Sequence, residues 1–259
     1  MINLLPSTES NWRHYGKGIY PFSSSDSIEL FKQNILKCPE DWRWKTETID
    51  YDINSHGYRC PEFDTIDWEN SHIMIGCSRT FGIGCPEQET IPALLSERLG
   101  EPVINLGMGG TGCDYAFFNA MRLQNIKFKK LFLLWPDIGR FFTFVDTKQK
   151  IKKYLAKDIV DWFLENGSNL NQNPVLDRYN GEYHQQLMFE EYHSIVKGTF
   201  QERYISLDWD ERSKLKTLPS AKIGNLGKND WQLKGRDLIH DCGLHNKYIV
   251  DYIMENKYV

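Results

Sequence analysis

Three short stretches hold residue types that could do chemistry together. GCSRTFGIG (76–84) sets Ser78 among glycines. A small hydroxyl nucleophile in such a turn presents its side chain, and its own N–H can face a developing oxyanion. The same composition also makes a plain tight turn. It is not the G-x-S-x-G elbow, because position 80 is Thr, and it lacks the G-K-[ST] ending of a phosphate-binding loop. GRDLIHDCGLH (235–245) places Asp237 three residues before His240. A carboxylate accepting from one imidazole nitrogen fixes the tautomer and leaves the other nitrogen as general base for a serine. Asp-x-x-His is equally ordinary decoration of a helix N-terminus. The set Asp237, His240, Cys242 and His245 matches no standard ligand spacing, so no metal is expected. VINLGMGGTG (103–112) contains G-x-G-x-x-G at Gly107, Gly109 and Gly112, with Asp137 further on. That is a dinucleotide fingerprint by letter. It sits on the second strand of its series, however, and a glycine turn offering amides to an oxyanion uses the same residues.

These stretches can cooperate only if the chain brings them to one edge. HIMIG (72–76), PVINLG (102–107), KLFLLW (130–135) and RYISLDW (203–209) read as buried strands. Helical spacing runs over 27–36, 87–99 (stopping at Gly100), 114–123, 148–165, 182–199 and 243–256. WRWKTETIDYDI alternates like an edge strand, a polar Gly/Asn-rich loop separates the helices at 148–165 and 182–199, and 215–230 reads as loop. Strands alternating with helices predict a parallel, doubly wound α/β sheet, and ligands bind beyond the carboxyl ends of such strands. No linker divides the chain. The expectation is one α/β domain at 71–259, with an N-terminal extension at 1–70 and an insertion at about 141–230.

Composition narrows the classes. The chain has 259 residues, 41% hydrophobic and 25% charged, which excludes disordered, collagen-like and coiled-coil proteins. A net charge of −4 gives no electrostatic reason to expect nucleic acid. No apolar run approaches the ~20 residues that span a bilayer, and no leader is visible, so a cytoplasmic protein is expected, with virion association as another fit. The six cysteines include no C-x-x-C pair and read as free thiols. Aromatic content of 14% fits either a stiff core or sugar stacking, with Trp42, Trp44, Trp135, Trp162, Trp209 and Trp231 as candidate contacts.

Taken in order, GCSRT, NLGMGG and DLIH resemble successive blocks of the SGNH (GDSL-type) hydrolase family. The upstream NSHGYRCPEF (54–63) resembles a segment that precedes the first block in one branch of that family. The resemblance covers about 52–137 and 235–256. It implies a flavodoxin-like parallel sheet between helices, and it implies roles: Ser78 as nucleophile, His240 as general base and Asp237 as its orienting residue. The implied oxyanion donors are the backbone N–H groups of Ser78 and Gly110. Two departures stand out. Cys77 replaces the Asp of Gly-Asp-Ser, and the third block, LLWPDIGRFF, lacks its oxyanion-binding Asn. Losing one such donor costs ~10²–10³ in rate. Arg140 is the candidate substitute, beside an equally open reading as a structural ion pair. Asp137, if ionised, would repel an oxyanion.

The leading expectation is a cofactor-independent serine esterase acting on a small acyl ester, such as an O-acetylated carbohydrate. Acyl transfer to a sugar is a variant of it. A catalytically weak binding module for glycans or a virion, and a nucleotide-dependent enzyme using Gly107–Gly112, are the alternatives.

Overall fold

The computed structural model describes residues 2–5, 16–138, 140–144, 151–155, 182–208 and 231–256. Its elements in chain order begin with strand β1 (Gly18–Tyr20), helix α1 (Ile28–Lys37) and strand β2 (Tyr51–Ile53). Strand β3 (His72–Gly76), the four-residue helix α2 (Ser78–Phe81), α3 (Ile91–Leu99), β4 (Val103–Gly107), α4 (Cys113–Arg122) and β5 (Leu131–Trp135) follow. The rest are β6 (Arg140–Phe144), β7 (Ile151–Leu155), α5 (Glu182–Phe200), β8 (Tyr204–Asp208) and α6 (Leu244–Glu255).

The four apolar runs form one sheet in the order β4-β3-β5-β8, every neighbouring pair parallel. Numbered within the sheet this is 2-1-3-4, the flavodoxin-like order. Alternate side chains feed opposite faces, as a period of two requires. Ile73, Ile75, Leu131, Leu133 and Trp135 join the core beneath α4 and α5. Met74, Phe132, Leu134, Ile205 and Leu207 join the core beneath α3 and α6. A third cluster lies off the sheet, where Trp42, Trp44, Ile49, Tyr51 and Ile53 pack on Phe81, Ile83, Cys85 and Cys242. The segment before the sheet thus packs directly against the loops that follow Ser78 and His240.

Local chemistry sets the boundaries. Ser27 caps α1, its hydroxyl accepting from the Leu30 N–H at 3.2 Å. The helix expected from Glu87 instead begins at Ile91. Glu87–Glu89 is a separate 3-10 turn, and Thr90 caps the new start by accepting from the Ala93 N–H at 3.3 Å. Pro92 is the cause, since it is tolerated in a first turn but disrupts a helix interior. Gly100, at φ +67°, ends that helix. Residues 151–155 were expected in a helix at 148–165. They form β7 antiparallel to β6, where the aromatic run RFFTF supplies a ladder partner. The edge strand expected over 42–53 shrinks to Tyr51–Ile53, paired with β1, because Trp42, Trp44 and Ile49 turn into the third cluster. The polar loop between 165 and 182, the loop at 215–230, and Trp162 and Trp209 lie outside the described residues.

Candidate active site

The site is built where β3 and β4 end. Both strands finish in glycine because α2 lies directly on them. A Cβ on Gly76 would sit 2.1 Å from Thr80 Oγ1 and 2.8 Å from the Leu134 carbonyl, and one on Gly107 would sit 2.4 Å from the Phe81 nitrogen. Asn105 reinforces the contact, its side chain accepting from the Gly107 N–H at 3.0 Å and donating to the Phe81 carbonyl at 3.4 Å. Ser78 opens α2 and is 6% exposed.

Across from it, the loop before α6 delivers Asp237 and His240. His240 Nε2 lies 2.7 Å from Ser78 Oγ, and His240 Nδ1 lies 2.5 Å from Asp237 Oδ2. A carboxylate oxygen only accepts, so the proton between these two sits on Nδ1 and Nε2 is left to accept from the hydroxyl. The other Asp237 oxygen accepts from the N–H groups of Ile239 and His240, each at 3.1 Å, which fixes the carboxylate from within its own loop. Leu238, at φ +61°, is a non-glycine residue in left-handed space. Strain of that kind persists only where the surroundings over-determine it.

The two loops are clamped together. A Cβ on Gly84 would meet Asp237 Oδ1 at 2.9 Å, and one on Gly235 would meet the Gly84 carbonyl at 2.8 Å. Arg79, next to Ser78, pairs with Asp241, next to His240, at 2.7 Å, and Lys234 reaches the other Asp241 oxygen at 2.7 Å. Burial opposes the Asp241 charge, but Arg79, His245 and Lys234 outweigh it and hold its carboxyl below the usual range. Behind Ser78, the buried guanidinium of Arg59 donates to the carbonyls of Gly82 at 2.9 Å and Cys85 at 3.0 Å, and pairs with Glu87 at 2.6 Å. The NSHGYRCPEF segment folds on itself to present that arginine, with the Asn54 side chain accepting from the N–H groups of His56 and Tyr58.

The remaining sequence candidates divide. Gly110, at φ +65°, lies in the turn after β4, which is tied to β3 by the Met108 N–H donating to the Gly76 carbonyl at 3.0 Å. Arg140 opens β6 with its backbone against that turn, since its carbonyl oxygen is 2.3 Å from where a Gly112 Cβ would be. The space beside Gly107 is likewise filled, by α2. A pyrophosphate needs open backbone at such glycines, so packing explains them better than nucleotide binding. Trp42, Trp44 and Trp135 are at most 2% exposed and take the core role, one of the two that their aromatic character allowed, whereas Trp231 is exposed.

All six cysteines are free. Burial pushes the thiols of Cys38, Cys60 and Cys113 up, and Cys242 is raised by its contact with Cys85 and by burial. Such thiols are poor nucleophiles. Cys85, Glu89 and Cys242 bring donor atoms within 4.8 Å of one another. They fit a metal badly. Glu89 is held at 2.6 and 3.0 Å by Arg43, and the Cys242 thiol already donates to it at 3.1 Å. A cavity of about 450 Å³, lined by Ile2, Ser55, His56, Glu62, Phe63 and Asp64, contains neither Ser78 nor His240. No helix among the described residues is long and apolar enough to cross a membrane.

Sequence reasoning missed Asp26, Tyr51, Arg59, Arg79 and Arg236, the polar residues that hold these loops. Their only sequence-level signal was Arg59, inside the 54–63 segment. No family model and no curated protein matches the chain. Among solved structures, it is similar to a "putative lipolytic protein of G-D-S-L family" from Desulfitobacterium hafniense, at 12% identity over 72% of this chain and 73% of that one, with a TM-score of 0.31. It is also similar to a "putative GDSL-like lipase" from Bacteroides ovatus, at 16% identity over 73% of this chain and 52% of that one, with a TM-score of 0.37.

Proposed function

We propose that the chain is a serine esterase of the SGNH kind. The observation that carries this is the continuous hydrogen-bonded path Ser78–His240–Asp237, 2.7 and 2.5 Å, at the carboxyl edge of a parallel sheet. Ser78 Oγ attacks the ester carbonyl while His240 Nε2 takes its proton. His240 then returns the proton to the leaving alkoxide, and a water activated by the same nitrogen releases the acid. Asp237 keeps the imidazole in the accepting tautomer and stabilises the imidazolium. The amides of Ser78 and Gly110 receive the tetrahedral oxyanion, with Arg140 standing in for the absent third donor. Ile239, 64% exposed and adjacent to His240, offers apolar surface for a small acyl group. An O-acetylated carbohydrate is the substrate class this reading favours.

The test is hydrolysis of p-nitrophenyl acetate, and of acetylated sugars after it. Turnover is expected in the wild type and should fall by ~10³-fold or more in Ser78→Ala and in His240→Ala. Equal turnover in wild type and Ser78→Ala would refute the assignment. The segment after β5, Pro136–Asp137–Ile138, supplies no Asn to the oxyanion and favours a second reading, a weakly hydrolytic glycan-binding module. Glycan binding that survives Ser78→Ala, without ester cleavage, would select it.

A further inference from the structure

The carboxylate of Asp26 is fully buried, far before the sheet in sequence, yet it lies behind the site. It accepts from Arg236 Nη2 at 2.7 Å and from Arg236 Nε at 3.1 Å on each oxygen. It also accepts from the Tyr51 hydroxyl at 2.6 Å. The Tyr51 oxygen in turn accepts from the Gly84 N–H at 2.8 Å, and the Gly84 carbonyl accepts from the Arg236 N–H at 2.9 Å. This closes a ring: Gly84, Tyr51, Asp26, Arg236 and back to Gly84.

Gly84 belongs to the loop that follows Ser78, and Arg236 is covalently joined to Asp237. The ring joins the two loops that carry the Ser78–His240–Asp237 path, and it meets that path at Asp237, against which Gly84 packs. The same N-terminal region grips the histidine loop twice more. Asn34 donates to the Arg236 carbonyl at 3.1 Å, and the Trp44 indole donates to the Lys234 carbonyl at 3.2 Å. Because the loops already meet at Gly84 and Gly235 with no room for a Cβ, a shift in one passes to the other. Burying an ion pair is costly, and apolar packing alone could fill this volume. What the ring adds is direction and distance, which hydrogen bonds fix and apolar contacts leave soft.

We propose that Asp26 is a positioning residue for the histidine-bearing loop, acting through Arg236 and Tyr51 to set Asp237 and His240 in register with Ser78. Its kinetic consequence rests on the esterase reading. Its structural consequence does not.

The test is Asp26→Asn, which keeps the volume and removes the charge, with Tyr51→Phe as the milder variant should the first fail to fold. Two readouts are taken: turnover of p-nitrophenyl acetate per fluorophosphonate-titrated site, and the NMR signal of the imidazole proton held between His240 and Asp237. Misplacing catalytic groups by about 1 Å costs up to ~10²-fold, so kcat per titrated site should fall about 10- to 100-fold with KM within about twofold. The imidazole proton signal should shift or vanish through exchange. An unmoved signal and unchanged kcat per site, with the loss confined to Tm, would overturn the proposal by making Asp26 merely structural. If the wild type turns over no ester, the esterase reading fails by itself and the NMR readout decides: a moved signal sustains the positioning role and an unmoved one overturns it.

Discussion

At the level of single residues, the arrangement depends on which groups carry protons. In the proposed mechanism His240 works through the tautomer that Asp237 imposes, whereas His245, in the first turn of α6, takes no part in it. Burial lowers its pKa to about 4, and the favourable effect of Asp241 is too small to restore it against Arg79 and Lys234 nearby. The consequence for stability has a definite sign. Between pH 6.5 and about 4 the unfolded chain binds a proton that the folded chain refuses, so stability falls as pH falls through that window. The full shift corresponds to at most about 3–4 kcal/mol. His245→Gln should therefore flatten the decline of Tm between pH 6.5 and 4.5, measured by scanning calorimetry. An unchanged slope would show that another group dominates acid unfolding. Ser78, Asp237 and His240 were legible through the order of their stretches along the chain, since each motif taken alone is ordinary. Asp26 and Arg236 were not, since a lone Asp in SSSDS and a lone Arg beside Gly235 carry no sign of each other when far apart in sequence.

At the level of elements, strands were read from sequence more faithfully than helices. HIMIG and the cores of PVINLG and KLFLLW form the expected strands because fully buried apolar runs have few alternatives in a sheet covered on both faces. The misreadings at 87–90 and 151–155 have separate causes, a proline that resets a helix and a hairpin partner that overrides local periodicity. The glycines at strand ends suggested turns or nucleotide loops, yet their work is to let α2 approach. Gly107→Ala tests this. Its new Cβ, 2.4 Å from the Phe81 nitrogen, must push α2 and Ser78 off the sheet. The expected result is a loss of about 1–3 kcal/mol in urea unfolding, together with a fall in esterase turnover of up to ~10²-fold. Retained stability and turnover would mean that α2 has freedom the packing does not suggest.

At the level of the whole molecule, the residues before the sheet are part of the site's foundation. Two of the candidate tryptophan contacts, Trp42 and Trp44, are core residues of a cluster shared with the loops after Ser78 and around Cys242. Sequence could show that this region is aromatic but not which way the rings face, because burial there is decided by long-range packing rather than by period. Trp44→Ala should cost about 3–5 kcal/mol of stability through the cavity it leaves, read from denaturant unfolding. It should also loosen the histidine loop, whose Lys234 carbonyl loses its indole donor. A cost near zero would detach this region from the fold.

In the proposed esterase, Ser78 is an activated nucleophile rather than a serine in a turn. Fluorophosphonate labelling followed by peptide mapping is decisive, because the reagent reacts fastest with a hydroxyl whose proton a neighbouring base removes. One adduct is expected, on the peptide carrying Ser78, with none in Ser78→Ala and strongly slowed formation in His240→Ala. A wild-type protein that stays unlabelled, or one labelled equally well without Ser78, would contradict it.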